Sequence, residues 1–246
     1  MNHASIVVAS LVASTLFLGG CGDAKTGAAR IETPEIPREI TDFVSLYNQN
    51  CRGCHGADGK GGAAIALNNP VYLVVADETV IHRAINDGIA GTSMPAFGHS
   101  AGGLLTDRQV DALSKEMRER WAKADALRGV SVPSYRASGP GDPARGARVY
   151  ETYCASCHGP EGRGGNASSI VDPAFLALLS DQVLRTIVIV GRPELGAPDW
   201  RNNLPGKPMS DQEITDVVAW LASRRTNASV SAAMAGESQD YARSDK

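Results

Sequence analysis

Along much of the chain the apolar positions recur every three or four residues, the period of an amphipathic helix. Phe43, Leu46 and Tyr47 share one such face, Val110, Leu113 and Met117 a second, and Ile214, Val217, Val218 and Leu221 a third. The last two stripes follow Thr106-Asp107-Arg108-Gln109 and Ser210-Asp211-Gln212-Glu213, both with the pattern of a capping box, so helices start there. Leu105 and Met209, one residue before each cap, are placed to staple onto Val110 and Ile214. A helix is also predicted from Pro143, with Asp142 as its cap, and middle helices over Glu78–Asp87 and Asp181–Val190. The run Thr186-Ile187-Val188-Ile189-Val190 has the composition of a strand, but the matching segment, Val80-Ile81-His82-Arg83-Ala84-Ile85, is helical in pattern, so both are assigned to helix.

That match is one part of an internal repeat at an offset of 103 residues. Gly56, Gly59, Gly61 and Gly62 fall on Gly159, Gly162, Gly164 and Gly165; Pro70 falls on Pro173, Val80 on Val183, Gly88 on Gly191, Pro95 on Pro198 and Phe97 on Trp200. Such a register describes a tandem duplication, with one domain at 39–128 and a second at 142–225. Pro133, Gly139, Pro140 and Gly141 break any helical pattern between them, so 129–141 reads as a linker. Residues 21–38 read as an extended tether. The tail 226–246 lacks Leu, Ile, Phe and Trp and is expected to be disordered.

Composition changes the picture in two ways. Aromatic residues are 5% of the chain against 43% hydrophobic overall, with 26 Gly and 13 Pro, so two small cores are short of large side chains unless a cofactor fills them. The 24 basic and 27 acidic residues, net −3, show no run of one sign, which excludes the electrostatic footprint of nucleic-acid binding. The five cysteines are then informative. Cys51-Arg52-Gly53-Cys54-His55 and Cys154-Ala155-Ser156-Cys157-His158 are both Cys-x-x-Cys-His, the attachment sequence for c-type haem, leaving Cys21 alone. A zinc or thiol redox site would account for one such motif, but poorly for two with matching glycines.

The order of these elements, helix, Cys-x-x-Cys-His, middle helix, Met-Pro loop and C-terminal amphipathic helix, resembles class I cytochrome c, here twice. The resemblance implies an all-α fold of two tandem class I cytochrome c domains, with two haem c groups attached through Cys51 and Cys54, and Cys154 and Cys157. It makes His55 and His158 the proximal iron ligands, and Met94, in Ser93-Met94-Pro95, the sixth ligand of the first iron. The second unit departs from the pattern, because Ala197 stands where Met94 does. Met209 is the nearest methionine and is read as the second iron's ligand, its staple role being the alternative. Arg83, Arg185 and Arg192 are expected near haem propionates, since arginine suits carboxylates. His82 and His99 are expected at the surface or a haem edge.

An apolar run of 13 residues, Ile6–Leu18, is too short to span a membrane but suits the core of a signal peptide over 1–20. Leu18-Gly19-Gly20-Cys21 resembles the lipobox of bacterial lipoproteins, which implies export to the periplasmic side and a lipid anchor on Cys21. The function that follows is electron transfer at the outer face of a bacterial membrane, with redox protein partners: a quinol-oxidising complex or dehydrogenase as donor and a terminal oxidase or reductase as acceptor. A fixed subunit of such a complex is a variant of this reading. The other class is a haem enzyme, or a protein that binds a gas or peroxide, using an open second haem at Ala197.

Overall fold

A computed structural model describes residues 40–225; the leader, Cys21, the tether and the tail from Thr226 with Met234 lie outside the described residues. The described residues form ten α-helices and no strand, only two isolated bridges. In the first unit these are α1 (Phe43–Asn50), α2 (Arg52–His55), α3 (Pro70–Val75), α4 (Glu78–Asp87) and α5 (Asp107–Trp121). The second unit repeats them as α6 (Pro143–Tyr153), α7 (Ala155–His158), α8 (Pro173–Ala177), α9 (Asp181–Val190) and α10 (Asp211–Ala222). The two middle helices have the predicted bounds, including the β-branched run of α9, so burial on a helix face overrides strand propensity there.

Four helices have no counterpart among the predicted elements: the short turns α2 and α7 inside the Cys-x-x-Cys-His motifs, and α3 and α8. Helices α3 and α8 are each a single turn or little more, too short for a periodic signal; α3 buries Val71, Tyr72 and Leu73, and α8 only Leu176. Each begins with a capping side chain followed by proline: Asn69 Oδ1 accepts from the Val71 amide at 2.8 Å, and Asp172 Oδ1 from the Ala174 amide at 2.9 Å. Helices α3 and α8 are each also tied down by an arginine, Arg118 of α5 and Arg225 just past α10. Arg118 donates to the carbonyls of Leu73 and Ala76 at 2.5 and 2.7 Å; Arg225 donates to those of Leu176 and Leu179, the repeat partners, at 3.3 and 2.6 Å. Arg225 does this from one turn further along than Arg118, so the contact is kept although the residue position is not.

In each unit the first and last helices carry the core. Tyr47 stacks on Phe43 and meets the edge of Trp121, with ring centroids 5.5 and 5.4 Å apart. Tyr150 stacks on Trp220 at 4.4 Å. Both predicted capping boxes form, with Thr106 N donating to Gln109 Oε1 at 3.0 Å and Ser210 N to Glu213 Oε2 at 2.8 Å.

The units meet along α3 and the end of α9. Asn69 Nδ2 reaches the Val190 carbonyl at 3.5 Å, and Arg192 Nη1 the Ala63 carbonyl at 3.5 Å. The connecting segment is fastened to the second unit by Arg185, which is 2% exposed. Its guanidinium donates to the Ser134 carbonyl at 2.9 Å, to the Tyr135 carbonyl at 3.2 Å, to Thr215 Oγ1 at 2.9 Å and to Asp211 at 2.5 Å. Arg185 was expected beside a haem propionate; its donors are instead taken up by backbone, hydroxyl and Asp211, because a buried guanidinium needs all its hydrogens satisfied locally. Its repeat partner His82 bonds Asp111 at 3.2 Å, the residue that aligns with Thr215 across the same pair of helices. His82 is thus a helix-to-helix tie at the surface.

One carboxylate makes the second unit sensitive to acid. Asp216 on α10 is 2% exposed and accepts from Arg145 Nε and Nη2 at 2.7 and 3.0 Å, from the Asp142 amide at 2.8 Å and from Gln212 at 2.9 Å. The Arg145 hydrogen bonds, together with those from Asp142 and Gln212 and against the effect of burial, lower its pKa to about 2. Since the folded value lies below the unfolded one, near 4, the stabilisation is present above pH 4 and lost as the pH falls through 2. Arg145 is half exposed, so the contribution is about 1–2 kcal/mol rather than that of a fully buried pair. Asp216→Asn is expected to be less stable at pH 6 and to lose part of the wild type's fall in melting temperature between pH 4 and 2. An unchanged acid slope in the variant would refute this assignment.

Candidate haem-binding sites

The first cysteine of each motif sits at the joint of two helices. Cys51 ends α1 and caps α2; Cys154 ends α6 and caps α7. A single turn then returns the chain so that the His55 amide donates to the Cys51 carbonyl at 3.0 Å, and the His158 amide to the Cys154 carbonyl at 3.0 Å. Cys54 and Cys157 project to the exposed side of that turn, while burial pushes the thiols of Cys51 and Cys154 up to about 12. None of the four is paired in a disulfide.

Each imidazole is oriented by a backbone carbonyl ten residues further on. His55 Nδ1 lies 2.8 Å from the Ile65 oxygen, and His158 Nδ1 lies 2.8 Å from the Ser168 oxygen. A carbonyl only accepts, so the proton is on Nδ1 and the lone pair on Nε2. Nε2 has no hydrogen bond among the described residues in either unit. The loops that supply these carbonyls are held against the motif. Ala64 N donates to the Cys54 carbonyl at 3.0 Å, and Ala167 N to the Cys157 carbonyl at 2.9 Å. The tyrosine of the preceding helix adds a clamp: Tyr47 Oη donates to the Gly56 carbonyl at 2.9 Å and Tyr150 Oη to the Gly159 carbonyl at 2.5 Å. Gly56 and Gly159 have φ of 83° and 73°, and a Cβ there would fall 1.8 and 2.0 Å from a backbone oxygen of the returning loop, so only glycine fits.

This donor set fits a covalently held haem. Two thiols three residues apart and the adjacent imidazole, with Nδ1 used and Nε2 available, are the groups that attachment requires, and the carbonyl partner fixes the tautomer. Among the described residues no group of three or more His, Cys, Asp or Glu side chains is placed to hold a bare metal ion.

The two histidines differ in cover. His55 is 7% exposed, and His158 is only half buried. Burial pushes His55 below its ordinary pKa, opposed by the Ile65 carbonyl and aided by Arg192. Arg192 belongs to the second unit, so the contact between units lies beside the first attachment site.

Met94 is half buried in the loop after α4. The loop is closed by the Ile89 amide donating to the Met94 carbonyl at 3.0 Å and the Met94 amide donating to Thr92 Oγ1 at 3.1 Å. In the second unit the equivalent bond runs from the Arg192 amide to the Ala197 carbonyl at 2.9 Å. Ala197 therefore holds the Met94 position in space as well as in sequence. Met209 is 2% exposed, and its amide donates to the Trp200 carbonyl at 3.0 Å, as the Leu105 amide does to the Phe97 carbonyl at 2.8 Å. The structure places Met209 where Leu105 stands, at the foot of the last helix.

Of the arginines considered beside propionates, Arg185 and Arg192 are engaged elsewhere, and Arg201 nearby is paired as well. Arg192 pairs with Glu194, and Arg201 with Asp199, Nη2 to Oδ2 at 2.6 Å, over the face of Trp200. Arg83 and His99 are exposed. The carbonyl partners of the histidines and the tyrosine clamp escape motif reading, although the offset of 103 residues relates each pair and was the available signal.

The family described as cytochrome c oxidase, cbb3-type, subunit III matches the chain twice, over residues 38–115 and 141–221. A cbb3-type cytochrome c oxidase subunit CcoP of Azospirillum sp. (strain B510) is 31% identical over 137 residues, covering 51% of this chain and 41% of that protein. The cytochrome bc1 complex cytochrome c subunit of Mycobacterium tuberculosis (strain ATCC 25618 / H37Rv) is 22% identical over 208 residues, covering 79% of this chain and 70% of that protein. The chain thus spans less than half the length of the CcoP relative. Among solved structures, a chain of the Kuenenia stuttgartiensis reducing HAO-like protein complex is 19% identical, covering 78% of this chain and all of that one, with a TM-score of 0.44.

Proposed function

Since the chain belongs to the family described as cytochrome c oxidase, cbb3-type, subunit III, and matches it in both halves, we propose that each unit holds one haem c and that the protein passes electrons between respiratory partners. The observation that carries the reading is the duplicated turn: two thiols, and an imidazole whose Nδ1 is committed to a carbonyl at 2.8 Å in both units. When bound, haem supplies one-electron chemistry at its iron. The chain does the rest. Cys51 and Cys54, and Cys154 and Cys157, would hold the haems through thioethers; His55 and His158 would offer Nε2 to the iron; Met94 would supply a thioether in the first unit, which would favour the reduced state and raise the potential. Asn69 and Arg192 bridge the units, so the two attachment turns ride on one scaffold.

The relatives named for a cbb3 oxidase and a bc1 complex support a place in respiratory electron transfer. The finer reading is a carrier tethered through Cys21 on the periplasmic side, taking electrons from a quinol-oxidising complex or dehydrogenase and giving them to a terminal oxidase or reductase. The sequence Leu18-Gly19-Gly20-Cys21 supports the tether, and no helix among the described residues is long and apolar enough to cross a membrane. Diacyl anchoring would be stable where a single chain is reversible.

The test is haem stoichiometry of the purified, denatured chain. Two covalently retained haems are expected, and one in a variant with Cys154→Ala and Cys157→Ala. Haem that extracts into organic solvent, or a double variant that still carries two, would overturn the assignment. Cys21→Ser is expected to move the protein from the membrane to the soluble fraction.

A further inference from the structure

We infer that the second unit supplies no methionine to its haem, and that this haem takes a small neutral diatomic molecule as its sixth ligand. The inference rests on the second unit holding a haem at all, as proposed above. Three observations lead to it.

The first is positional. Gly88 and Gly191 end the middle helices with φ of 70° and 69°, and a Cβ on either would lie 2.7 or 2.8 Å from the carbonyl oxygen of Met94 or Ala197. With the Ile89-to-Met94 and Arg192-to-Ala197 hydrogen bonds at 3.0 and 2.9 Å, the two loops present the same residue at the same place. The one in the second unit ends at a methyl group, which has no lone pair to give to iron.

The second concerns Met209. Its backbone bond to Trp200, its 2% exposure and its place before the Ser210 cap all duplicate Leu105, a residue with no ligating atom. Its sulfur also accepts from Asn203 Nδ2 at 3.7 Å. To serve as a ligand its sulfur would have to leave Asn203, and its side chain the site that Leu105 fills in the first unit.

The third concerns the kind of ligand. The polar groups flanking Ala197 are already spent on one another. Arg192 pairs with Glu194; Arg201 and Asn202 donate to Asp199, the latter at 3.2 Å, and Asn203 Nδ2 donates to the Asp199 carbonyl at 3.3 Å. The loop's other cation, Lys207, lies over the Tyr153 ring at 5.5 Å, and the loop's carboxylates, Glu194 and Asp199, are paired with Arg192 and Arg201, so neither is a free base to assist cleavage of a peroxide. A neutral diatomic ligand needs no such base.

The experiment is the electron paramagnetic resonance spectrum of the oxidised holoprotein, with carbon monoxide titrated into the reduced form and haem content counted first. One low-spin and one high-spin haem are expected, with one carbon monoxide bound per chain. Ala197→Met is expected to make both haems low-spin and abolish the carbon monoxide adduct, and Met209→Leu to leave both spectra as in the wild type. Two low-spin haems with no adduct in the wild type, or a high-spin second haem created by Met209→Leu, would overturn the inference. A chain with no haem at Cys154–His158 would instead refute the proposed function. The wild-type spectrum decides even where a variant fails to fold.

Discussion

Replacing Met94 by alanine is expected to lower the potential of the first haem by on the order of 0.1 V or more, within the ~0.8 V over which axial ligands set haem potentials. The thioether stabilises the reduced iron relative to the oxidised one, and nothing in the loop replaces it: Thr92 and Ile89 hold the Met94 backbone, not its sulfur. Those bonds are retained in the variant, so the fold should survive; the half-buried side chain leaves a small gap rather than a core cavity. Redox titration of the holoprotein checks this. One wave should move and the other stay, because the second attachment site lies in the other unit. A titration that does not move would exclude Met94 as a ligand and send the search to other residues of the first unit.

Arg185→Met should have the opposite signature, a large loss of stability with little change in either potential. The guanidinium is 3% exposed and Asp211, its acidic partner, 36%. Removing it strands the Ser134 carbonyl, leaves the Tyr135 carbonyl to Gln182 alone and deprives Asp211 of its ion pair. Breaking a fully buried pair costs about 3–5 kcal/mol. With one partner part exposed the loss is about 2–3 kcal/mol, or roughly 5–10 °C in melting temperature for a chain of this size. The arginine also fastens the segment that joins the units, so proteolysis near Ser134 should become faster. A shift of either potential by as much as the Met94 variant shows would mean that Arg185 acts on a haem after all.

These two residues also mark the boundary between what could be read along the chain and what could not. The role proposed for Met94 rests on a local signal: a Gly- and Pro-rich loop at a set distance from Cys-x-x-Cys-His, which the family resemblance converts into a role. The helices with capping boxes and the repeat at 103 residues were legible for the same reason, since caps, stripes and motifs depend on neighbours three or four residues away. Arg185 was misplaced beside a propionate. Its partners lie 26, 30, 50 and 51 residues away, and no local pattern reports them.

The all-α class, the duplication, the two Cys-x-x-Cys-His motifs and the capped starts of the helices after Thr106, Asp142 and Ser210 could be read along the chain, because they follow from local propensity and residue spacing. The three-dimensional packing was needed to show which carbonyl fixes each imidazole, that α3 and α8 are held by Arg118 and Arg225, that Arg192 of the second unit acts on His55, and that Met209 occupies the place of Leu105. Each of these is a contact between segments far apart in the chain, where a buried donor or acceptor takes whatever partner packing brings to it.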